Sequence, residues 1–324
     1  MPTSAIGIDL GGTNLKACIM NKTGEFRHLR RRPTQAQKGG PAVLDTIMRM
    51  IETVLADEGG SGGILGVGIG SPGFVDEDGT VLGGAQNLPG WEGMQIFEPI
   101  KSKFGLNVTA GNDVTVTALA ESCFGAAKEV KNSVTLALGT GIGAGIVVNG
   151  KVYKGTHGMA GEMGHVIVET NGRQCTCGLK GCVEQYASGT GIVNVAREMC
   201  TSFTPQKPST LARIALENPS GITAKLVYEH AEADDPYALY INDYICHKLS
   251  IAIGTILNSL APDRIILGGG IMKSHELIIA TVNKYTPRYC WNSIWERCDI
   301  VPAKAGENAG VLGAAALVFE EMEG

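Results

Sequence analysis

The chain has 324 residues, of which 44% are hydrophobic and 18% charged; this composition is typical of a globular protein, and the length allows two domains of ~100–200 residues each. Its formal net charge of −5 gives no electrostatic reason to expect binding to nucleic acid or to an anionic membrane surface. The first residues lack a basic stretch followed by an apolar one, so we expect no signal peptide and a cytoplasmic protein.

Apolar runs with the character of strands alternate with helical periodicity along the chain, and this pattern predicts an α/β fold. In chain order, the first half predicts strands at 5–10, 15–20, 64–69 and 107–110, a hairpin at 74–81, and helices at 41–57, 94–103 and 115–124. The second half predicts strands at 133–138, 142–148 and 264–267, and helices at 237–260 and 308–321.

Glycine turns follow three of the predicted strands. Backbone N–H groups in such turns can bind phosphate, and the missing side chain lets a ligand approach closely. The order strand, glycine turn, strand occurs twice, which indicates a weak internal repeat with one copy in each of two similar domains. The candidate phosphate- and nucleotide-binding residues are Asp9, Gly11, Gly12, Thr13, Thr140, Gly141, Gly268, Gly269 and Gly270.

Asp9 could hold Mg²⁺ beside the phosphates, directly or through water. The alternative interpretation is that these segments are ordinary hairpin turns, in which Asp9 makes a local hydrogen bond.

Gly111-Asn112-Asp113 lies between a predicted strand and a predicted helix. An Asn or Asp at this place is commonly a helix N-cap. The functional interpretation makes Asp113 a general base that takes a proton from an attacking hydroxyl. Asn87 lies in a turn-forming stretch and either supports the turn or binds a ligand hydroxyl.

The segment 162–184 contains the most specific pattern in the chain. His165, Cys175, Cys177 and Cys182 form a complete Cys₃His ligand set for a structural zinc ion. The alternative is a disulfide or redox pair with one spare thiol. Glu162 and Glu184 flank the ligand set, and paired carboxylates accept hydrogen bonds well from sugar hydroxyls. The other six of the nine cysteines are scattered, so we interpret them as buried or free thiols.

These motifs resemble those of the ROK family (repressor, open reading frame, kinase) of sugar kinases, which belongs to the superfamily that includes actin. The resemblance spans nearly the whole chain. Its family-like segments are Asp9-Leu-Gly-Gly-Thr13, Leu138-Gly-Thr-Gly-Ile-Gly143, Gly161-Glu-Met-Gly-His165, Cys175-Thr-Cys-Gly-Leu-Lys-Gly-Cys182-Val-Glu184, Ile266-Leu-Gly-Gly-Gly270 and Gly306-Glu-Asn-Ala-Gly310. Within the family, the segments most like those of bacterial glucokinases are Ser71-Pro-Gly73, Asn87-Leu-Pro-Gly-Trp91 and Tyr186-Ala-Ser-Gly-Thr190.

The resemblance implies an α/β fold of two actin-like (ribonuclease H-like) domains that flank a cleft, with a structural zinc loop at 165–182. The first domain would comprise 1–117 and 307–324, and the second 118–306. The resemblance also implies transfer of the γ-phosphoryl group of ATP to a hexose hydroxyl, most often O6, as in the first step of glycolysis. Mg²⁺ would assist this transfer. Asp113 falls at the position of the catalytic base. The implied sugar contacts are Asn87, Asn112, Asp113, Glu162, His165 and Glu184.

Three alternatives stay open beside glucose phosphorylation. One is a fructokinase or an N-acetylhexosamine kinase, acting on N-acetylmannosamine or N-acetylglucosamine, with the same machinery. A sugar-responsive repressor is a second; it would need a helix-turn-helix, for which the residues before the first strand leave no room. The third is a sugar-binding protein without catalysis. We also expect a homodimer or higher homo-oligomer with no nucleic-acid or membrane partner.

Overall fold

The computed structural model describes residues 2–204 and 207–323. The strands are β1 (Ser4–Leu10), β2 (Asn14–Asn21), β3 (Phe26–Pro33), β4 (Ile64–Ser71), β5 (Phe74–Val75), β6 (Val81–Gly83), β7 (Asn107–Asn112), β8 (Ser133–Leu138), β9 (Ile142–Val148), β10 (Lys151–Val152), β11 (Arg264–Gly268) and β12 (Asp299–Pro302). The α-helices are α1 (Gly40–Glu58), α2 (Phe97–Phe104), α3 (Asp113–Phe124), α4 (Glu184–Ala187), α5 (Gly189–Met199), α6 (Thr210–Glu217), α7 (Ala224–Glu232), α8 (Pro236–Leu260), α9 (His275–Tyr285), α10 (Asn292–Trp295) and α11 (Ala309–Glu323). The predicted α/β class is confirmed.

The first sheet has the strand order β3-β2-β1-β4-β7. β1, β4 and β7 run parallel, whereas β2 is antiparallel to β1 and β3 is antiparallel to β2. Asp9 in β1 is paired with Gly70 in β4, which is paired with Gly111 in β7. Because these strands are parallel and in register, the loops that follow their carboxyl ends emerge at one edge of the sheet.

Helices cover this sheet and bury its apolar side chains. The helical spacing predicted for α1 is confirmed, since Val43, Ile47, Met50, Ile51 and Val54 are all fully buried. Helix α11 packs against α3, β1 and β4. Its approach to α3 requires glycine, because a Cβ added at Gly313 would lie 1.7 Å from the Val116 carbonyl oxygen. The apolar composition of α11 therefore reflects packing on two sides.

The second sheet has the order β10-β9-β8-β11-β12, in which β11 and β12 are parallel. The long helix α8 begins at Pro236, where the Asp235 side chain accepts hydrogen bonds from the backbone N–H groups of Tyr237 (3.0 Å) and Ala238 (3.2 Å). Pro236 at the first helical position and a capping aspartate are an ordinary helix start. The predicted helix 237–260 is confirmed.

Several elements differ from the sequence prediction; β12, α5 and α9, for example, lie where no element was predicted. Strand β3 was not predicted, because its residues are mostly charged and exposed. Helix α2 begins at Phe97, three residues later than predicted, because the Gln95 side chain accepts hydrogen bonds from the N–H groups of Phe97 (2.7 Å) and Glu98 (3.1 Å). Across residues 2–204 and 207–323, every helix is too short or too polar to cross a membrane.

The chain divides into two compact units. Unit 1 comprises Met1–Thr135, Gly145–Gly161 and Ala303–Gly324, and unit 2 comprises Leu136–Ala144 and Glu162–Pro302. The predicted domain boundaries, 1–117 with 307–324 and 118–306, stay a prediction.

Candidate functional site

In unit 1, Asp9 lies near the carboxyl end of β1 and beneath the first turn of α11. A Cβ added at Gly310 would lie 2.7–2.9 Å from the Asp9 carboxylate, so the helix backbone approaches this acid closely. Burial raises the pKa of Asp9, and the nearby Lys16 lowers it. A half-buried carboxylate oxygen of this kind is a hard ligand suited to Mg²⁺.

The first glycine turn is a tight hairpin and also contacts Asn87. Gly11 N–H donates to the Asn14 carbonyl oxygen at 3.0 Å. The Thr34 hydroxyl donates to the Gly11 carbonyl oxygen at 2.6 Å, and Thr34 N–H donates to that of Thr13 at 2.9 Å. A Cβ added at Gly12 would lie 3.0 Å from Asn87 Nδ2. The hairpin interpretation is therefore right for the backbone, and the structure brings Asn87 against the turn.

Asn112 and Asp113 have different structural roles. Asn112 is the N-cap of α3: its Oδ1 accepts the Val114 N–H at 3.0 Å, and its Nδ2 donates to the Gly73 carbonyl oxygen at 3.3 Å. Asp113 is the first residue of the helix, and its Oδ1 also accepts the Val114 N–H, at 2.9 Å. An acidic residue in the first turn interacts favourably with the positive end of the helix dipole.

Ser71 and Trp91 join the loops at this edge of the sheet, and sequence reasoning missed their contact. Trp91 is fully buried, and its indole N–H donates to Ser71 Oγ at 2.9 Å. Ser71 is in register with Asn112 of the neighbouring strand. The only sequence signal was a tryptophan four residues after Asn87. This contact fixes the loop that carries Asn87.

In unit 2, His165, Cys175, Cys177 and Cys182 bring their ligand atoms within 4.8 Å of one another. Cys177 Sγ lies 3.7 Å from Cys182 Sγ, and Cys175 Sγ lies 3.6 Å from His165 Nδ1. Tetrahedral zinc, with bonds of ~2.3 Å to sulfur and ~2.0–2.1 Å to nitrogen, places two sulfurs about 3.8 Å apart and sulfur about 3.5 Å from nitrogen. The donor set and these two separations fit Zn²⁺, whereas 3.7 Å is far too long for a disulfide bond.

The sulfur atoms also lie in surroundings that favour thiolate at one position. Burial raises the pKa of Cys175, but hydrogen bonds from the Cys177 backbone, from the thiols of Cys177 and Cys182 and from Gln185 lower it to about 7. Gln185 Nε2 donates to Cys175 Sγ at 3.4 Å. Because Gln185 belongs to α4, this contact joins the cysteine loop to the helix that begins with Glu184.

The two acids that flank the cysteines in sequence interact with each other, and Glu162 lies beside His165. Glu162 Oε2 is 3.6 Å from His165 Nε2, so the two ring nitrogens of His165 face different partners. A carboxylate beside the second nitrogen of a metal-binding histidine helps to fix the ring's orientation. Burial raises the pKa of Glu162; the neighbouring His165 lowers it, and the Glu184 carboxylate raises it.

Glu184 makes a contact that the sequence did not reveal. Its Oε2 accepts the backbone N–H of Ile142 at 2.9 Å. A Cβ added at Gly141 would lie 2.4 Å from the same oxygen, so only glycine leaves room for this carboxylate. The second glycine turn and the Glu184 side chain are therefore in direct contact.

We expect Gly141→Ala to displace the Glu184 carboxylate and break its hydrogen bond with Ile142 N–H. The loss should lower the free energy of unfolding by about 1 kcal/mol and speed hydrogen exchange at the Ile142 amide. Chemical denaturation and hydrogen exchange measure the two effects. The control is Gly62→Ala, since a Cβ there would meet no heavy atom of the described residues within 4 Å. Unchanged exchange at Ile142 in Gly141→Ala would contradict the prediction.

A cavity of about 830 Å³ brings predicted nucleotide-binding residues together within unit 2. Its walls include Thr140 in the second glycine turn, Gly270 after β11, and Thr190 in α5. Gly269 has a φ of 98°, and a Cβ there would lie 2.3 Å from the Leu138 carbonyl oxygen. The glycine segment after β11 thus packs directly against the strand that leads into the second turn.

Comparison with known proteins identifies one family and several relatives that match the chain over almost its full length. The sequence model of the ROK family matches residues 5–321. A glucokinase of Halalkalibacterium halodurans is 33% identical over 318 residues, which cover 98% of this chain and 95% of that protein. The xylose repressor of Bacillus subtilis is 26% identical over 324 residues, and the match covers 98% of this chain and 77% of the repressor.

Solved structures match the chain over almost its full length. A ROK hexokinase of Thermus thermophilus has a TM-score of 0.82 and 28% identity, with 99% of both chains covered. A ROK family glucokinase of Streptomyces griseus, solved in complex with glucose and AMPPNP, has a TM-score of 0.76 and 28% identity, with 97% of this chain and 98% of that chain covered.

Proposed function

The chain belongs to the ROK family, and we propose that it is an ATP-dependent sugar kinase that phosphorylates O6 of glucose to give glucose 6-phosphate. The observation that carries the proposal is the position of Asp113. It is the first residue of α3 and follows β7, whose Gly111 is in register with Gly70 and, through it, with Asp9. This arrangement supports a base and a phosphate loop at one edge of the same sheet.

In the proposed reaction, Asp113 accepts the proton of the sugar hydroxyl as its oxygen attacks the γ-phosphorus, and the bond to the β-phosphate oxygen breaks. Phosphoryl transfer depends mainly on positioning and charge stabilisation, so the base does not need to be strong. Mg²⁺, when bound with ATP, neutralises phosphate charge, and Asp9 is the residue that we propose to hold it.

We propose that the two glycine turns and the segment after β11 bind the nucleotide. The cavity shared by Thr140 and Gly270 supports a nucleotide site in unit 2. The proposed residues are Asp9, Gly11, Gly12, Thr13, Thr140, Gly141, Gly268, Gly269 and Gly270.

For the sugar, we propose hydrogen bonds from its hydroxyls to carboxylate, imidazole and amide side chains. The proposed residues are Asn87, Asn112, Asp113, Glu162, His165 and Glu184. Zinc at His165 and the three cysteines would supply no chemistry, because four protein ligands leave no open position. Its proposed role is to fix the loop from which His165, Glu162 and Glu184 project.

The finer assignments belong to the same proposal: two actin-like domains, a cytoplasmic enzyme of glycolysis and a homo-oligomeric assembly. A repressor in this family is the rival, since the xylose repressor of Bacillus subtilis is also similar. A kinase and a sugar-responsive regulator can have the same kind of sugar site, but only the kinase transfers a phosphoryl group to the sugar.

The test is an ADP-release assay of the purified chain with ATP and Mg²⁺, run in parallel on glucose, mannose, fructose, N-acetylglucosamine and N-acetylmannosamine. We expect glucose to give the highest kcat/KM, and mass analysis of the product to show one added phosphoryl group. A higher kcat/KM for an N-acetylhexosamine or for fructose would replace glucose as the substrate. Binding of sugar without ADP release from any of the five would overturn the kinase proposal.

A further inference from the structure

We infer that Glu184 positions the second phosphate loop, Leu138–Ile142, as well as contacting sugar, so that one carboxylate serves both substrates. The inference rests on the proposed kinase function and adds a positioning role to a residue assigned only to the sugar. It concerns unit 2 alone, because the loop, Glu184 and the cavity that includes Thr140 all belong to that unit.

Three hydrogen bonds fasten the loop to the segment 184–190. Glu184 Oε2 accepts the Ile142 N–H at 2.9 Å. Thr190 Oγ1 donates to the Thr140 carbonyl oxygen at 3.1 Å, and Gly189 N–H donates to the Gly139 carbonyl oxygen at 2.8 Å. Of the three, only the first uses an ionisable side chain. Glu184 also supplies the side-chain acceptor among these contacts, whereas the other two acceptors are backbone carbonyl oxygens.

The fit at Gly141 shows that the carboxylate lies against the loop backbone. An added Cβ there would lie 2.4 Å from Glu184 Oε2. Gly141 separates Thr140, which lines the cavity, from Ile142, whose N–H the carboxylate accepts. Rotation of Glu184 away from this place therefore frees the part of the loop that we assign to ATP.

Glu184 has two carboxylate oxygens for two tasks. Oε2 accepts the loop N–H, and we assign Oε1 to a sugar hydroxyl. A sugar that orders the carboxylate also orders the loop, so sugar and nucleotide should each increase the affinity for the other by the same factor. Glu162 provides the matched comparison, because it flanks the same cluster but contacts a different group. Its Oε2 lies 3.6 Å from His165 Nε2.

The experiment compares Glu184→Gln with Glu184→Ala. Both variants remove the charge, but only glutamine keeps an oxygen that can accept the Ile142 N–H. We would measure AMPPNP affinity by calorimetry with Mg²⁺, first without sugar and then with saturating glucose. Hydrogen-exchange mass spectrometry would follow a peptide that contains Ile142. Zinc content and the unfolding midpoint would identify any variant that has not folded.

We expect Glu184→Ala to bind AMPPNP about tenfold more weakly than Glu184→Gln in the absence of sugar, and to exchange faster at Ile142. Both variants should bind glucose weakly. Glu162→Gln and Glu162→Ala should differ from each other by less than about twofold in AMPPNP affinity. In the wild type, glucose should strengthen AMPPNP binding, and Glu184→Ala should abolish that gain.

Equal AMPPNP affinity and equal Ile142 exchange in Glu184→Ala and Glu184→Gln would overturn the inference while leaving the proposed kinase intact. A wild-type chain that binds no AMPPNP would overturn the proposed function and, with it, the nucleotide part of the inference. In that case the exchange rates still decide whether Glu184 holds the loop. If Glu184→Ala does not fold, equal exchange at Ile142 in the wild type and Gly141→Ala contradicts the inference instead.

Discussion

Asp113→Asn is expected to lower kcat by ~10²–10⁴-fold, the usual contribution of a general base, while sugar affinity changes by less than about threefold. The substitution preserves the start of α3, because an asparagine oxygen can accept the Val114 N–H that Asp113 Oδ1 accepts at 2.9 Å. Asn112 also remains the N-cap. Loss of turnover would therefore reflect the lost base and not a lost helix terminus.

The matched control for this variant is Asp45→Asn, which removes an acid from the exposed face of α1, where Asp45 pairs with Arg49 at 2.8 Å. Exposed ion pairs of this kind contribute little, so activity and stability should stay near those of the wild type. Steady-state kinetics with glucose and direct glucose binding supply both measurements. An Asp113→Asn enzyme with more than about a tenth of wild-type kcat would exclude Asp113 as the base.

Cys177→Ala is expected to abolish stoichiometric zinc binding and to destabilise unit 2. Three remaining ligands hold the metal more weakly, and metal binding supplies folding free energy to the loop that carries the ligands. A loss of ~2–4 kcal/mol corresponds to a fall of roughly 5–15 °C in the unfolding midpoint. Elemental analysis of the purified protein and thermal unfolding with and without added zinc measure these effects.

Cys290→Ala is the control for the zinc prediction, because Cys290 lies in the same unit but outside the cluster, with its thiol donating to the Thr286 carbonyl oxygen at 3.5 Å. It should keep one zinc per chain and unfold close to the wild-type midpoint. Wild-type protein without zinc after expression in zinc-supplemented medium would refute the assignment of the metal.

Patterns of apolar residues were sufficient to predict the α/β class, most of the strands and the longest helices. The buried face of α1 and the length of α8 follow from helical periodicity, which depends on local sequence alone. Strand β3, with the sequence Phe-Arg-His-Leu-Arg-Arg-Arg-Pro, lies at the edge of the sheet and has no buried face. Its sequence therefore lacks the alternation of apolar and polar residues by which a strand is predicted. The start of α2 depends on how the Gln95 side chain bends back to the helix N–H groups, which residue type does not specify.

The candidate site was predictable where residue identity fixes the chemistry. A Cys₃His set has few other uses, so its four members could be named from spacing, and the structure brings all four together. The contact between Glu184 and Ile142 could not be predicted, because the acceptor meets a backbone N–H that every residue except proline carries. The side chains of Asn112 and Asp113 likewise accept a backbone N–H, that of Val114. The sequence therefore could not assign the N-cap to Asn112 and the first helical position to Asp113.

Helix α11 and strand β1 pack together in unit 1, although the whole of unit 2 lies between them in the chain. During synthesis on a ribosome, β1 emerges early, and the face of its sheet that packs against α11 stays uncovered until α11 has been made. Unit 2 can fold in that interval, since domains generally fold as their residues emerge. Unit 1, which contains Asp9 and Asp113, is therefore the last part of the protein to be completed. Nascent chains interrupted before α11 would display one open apolar face of the sheet to the cell's chaperones.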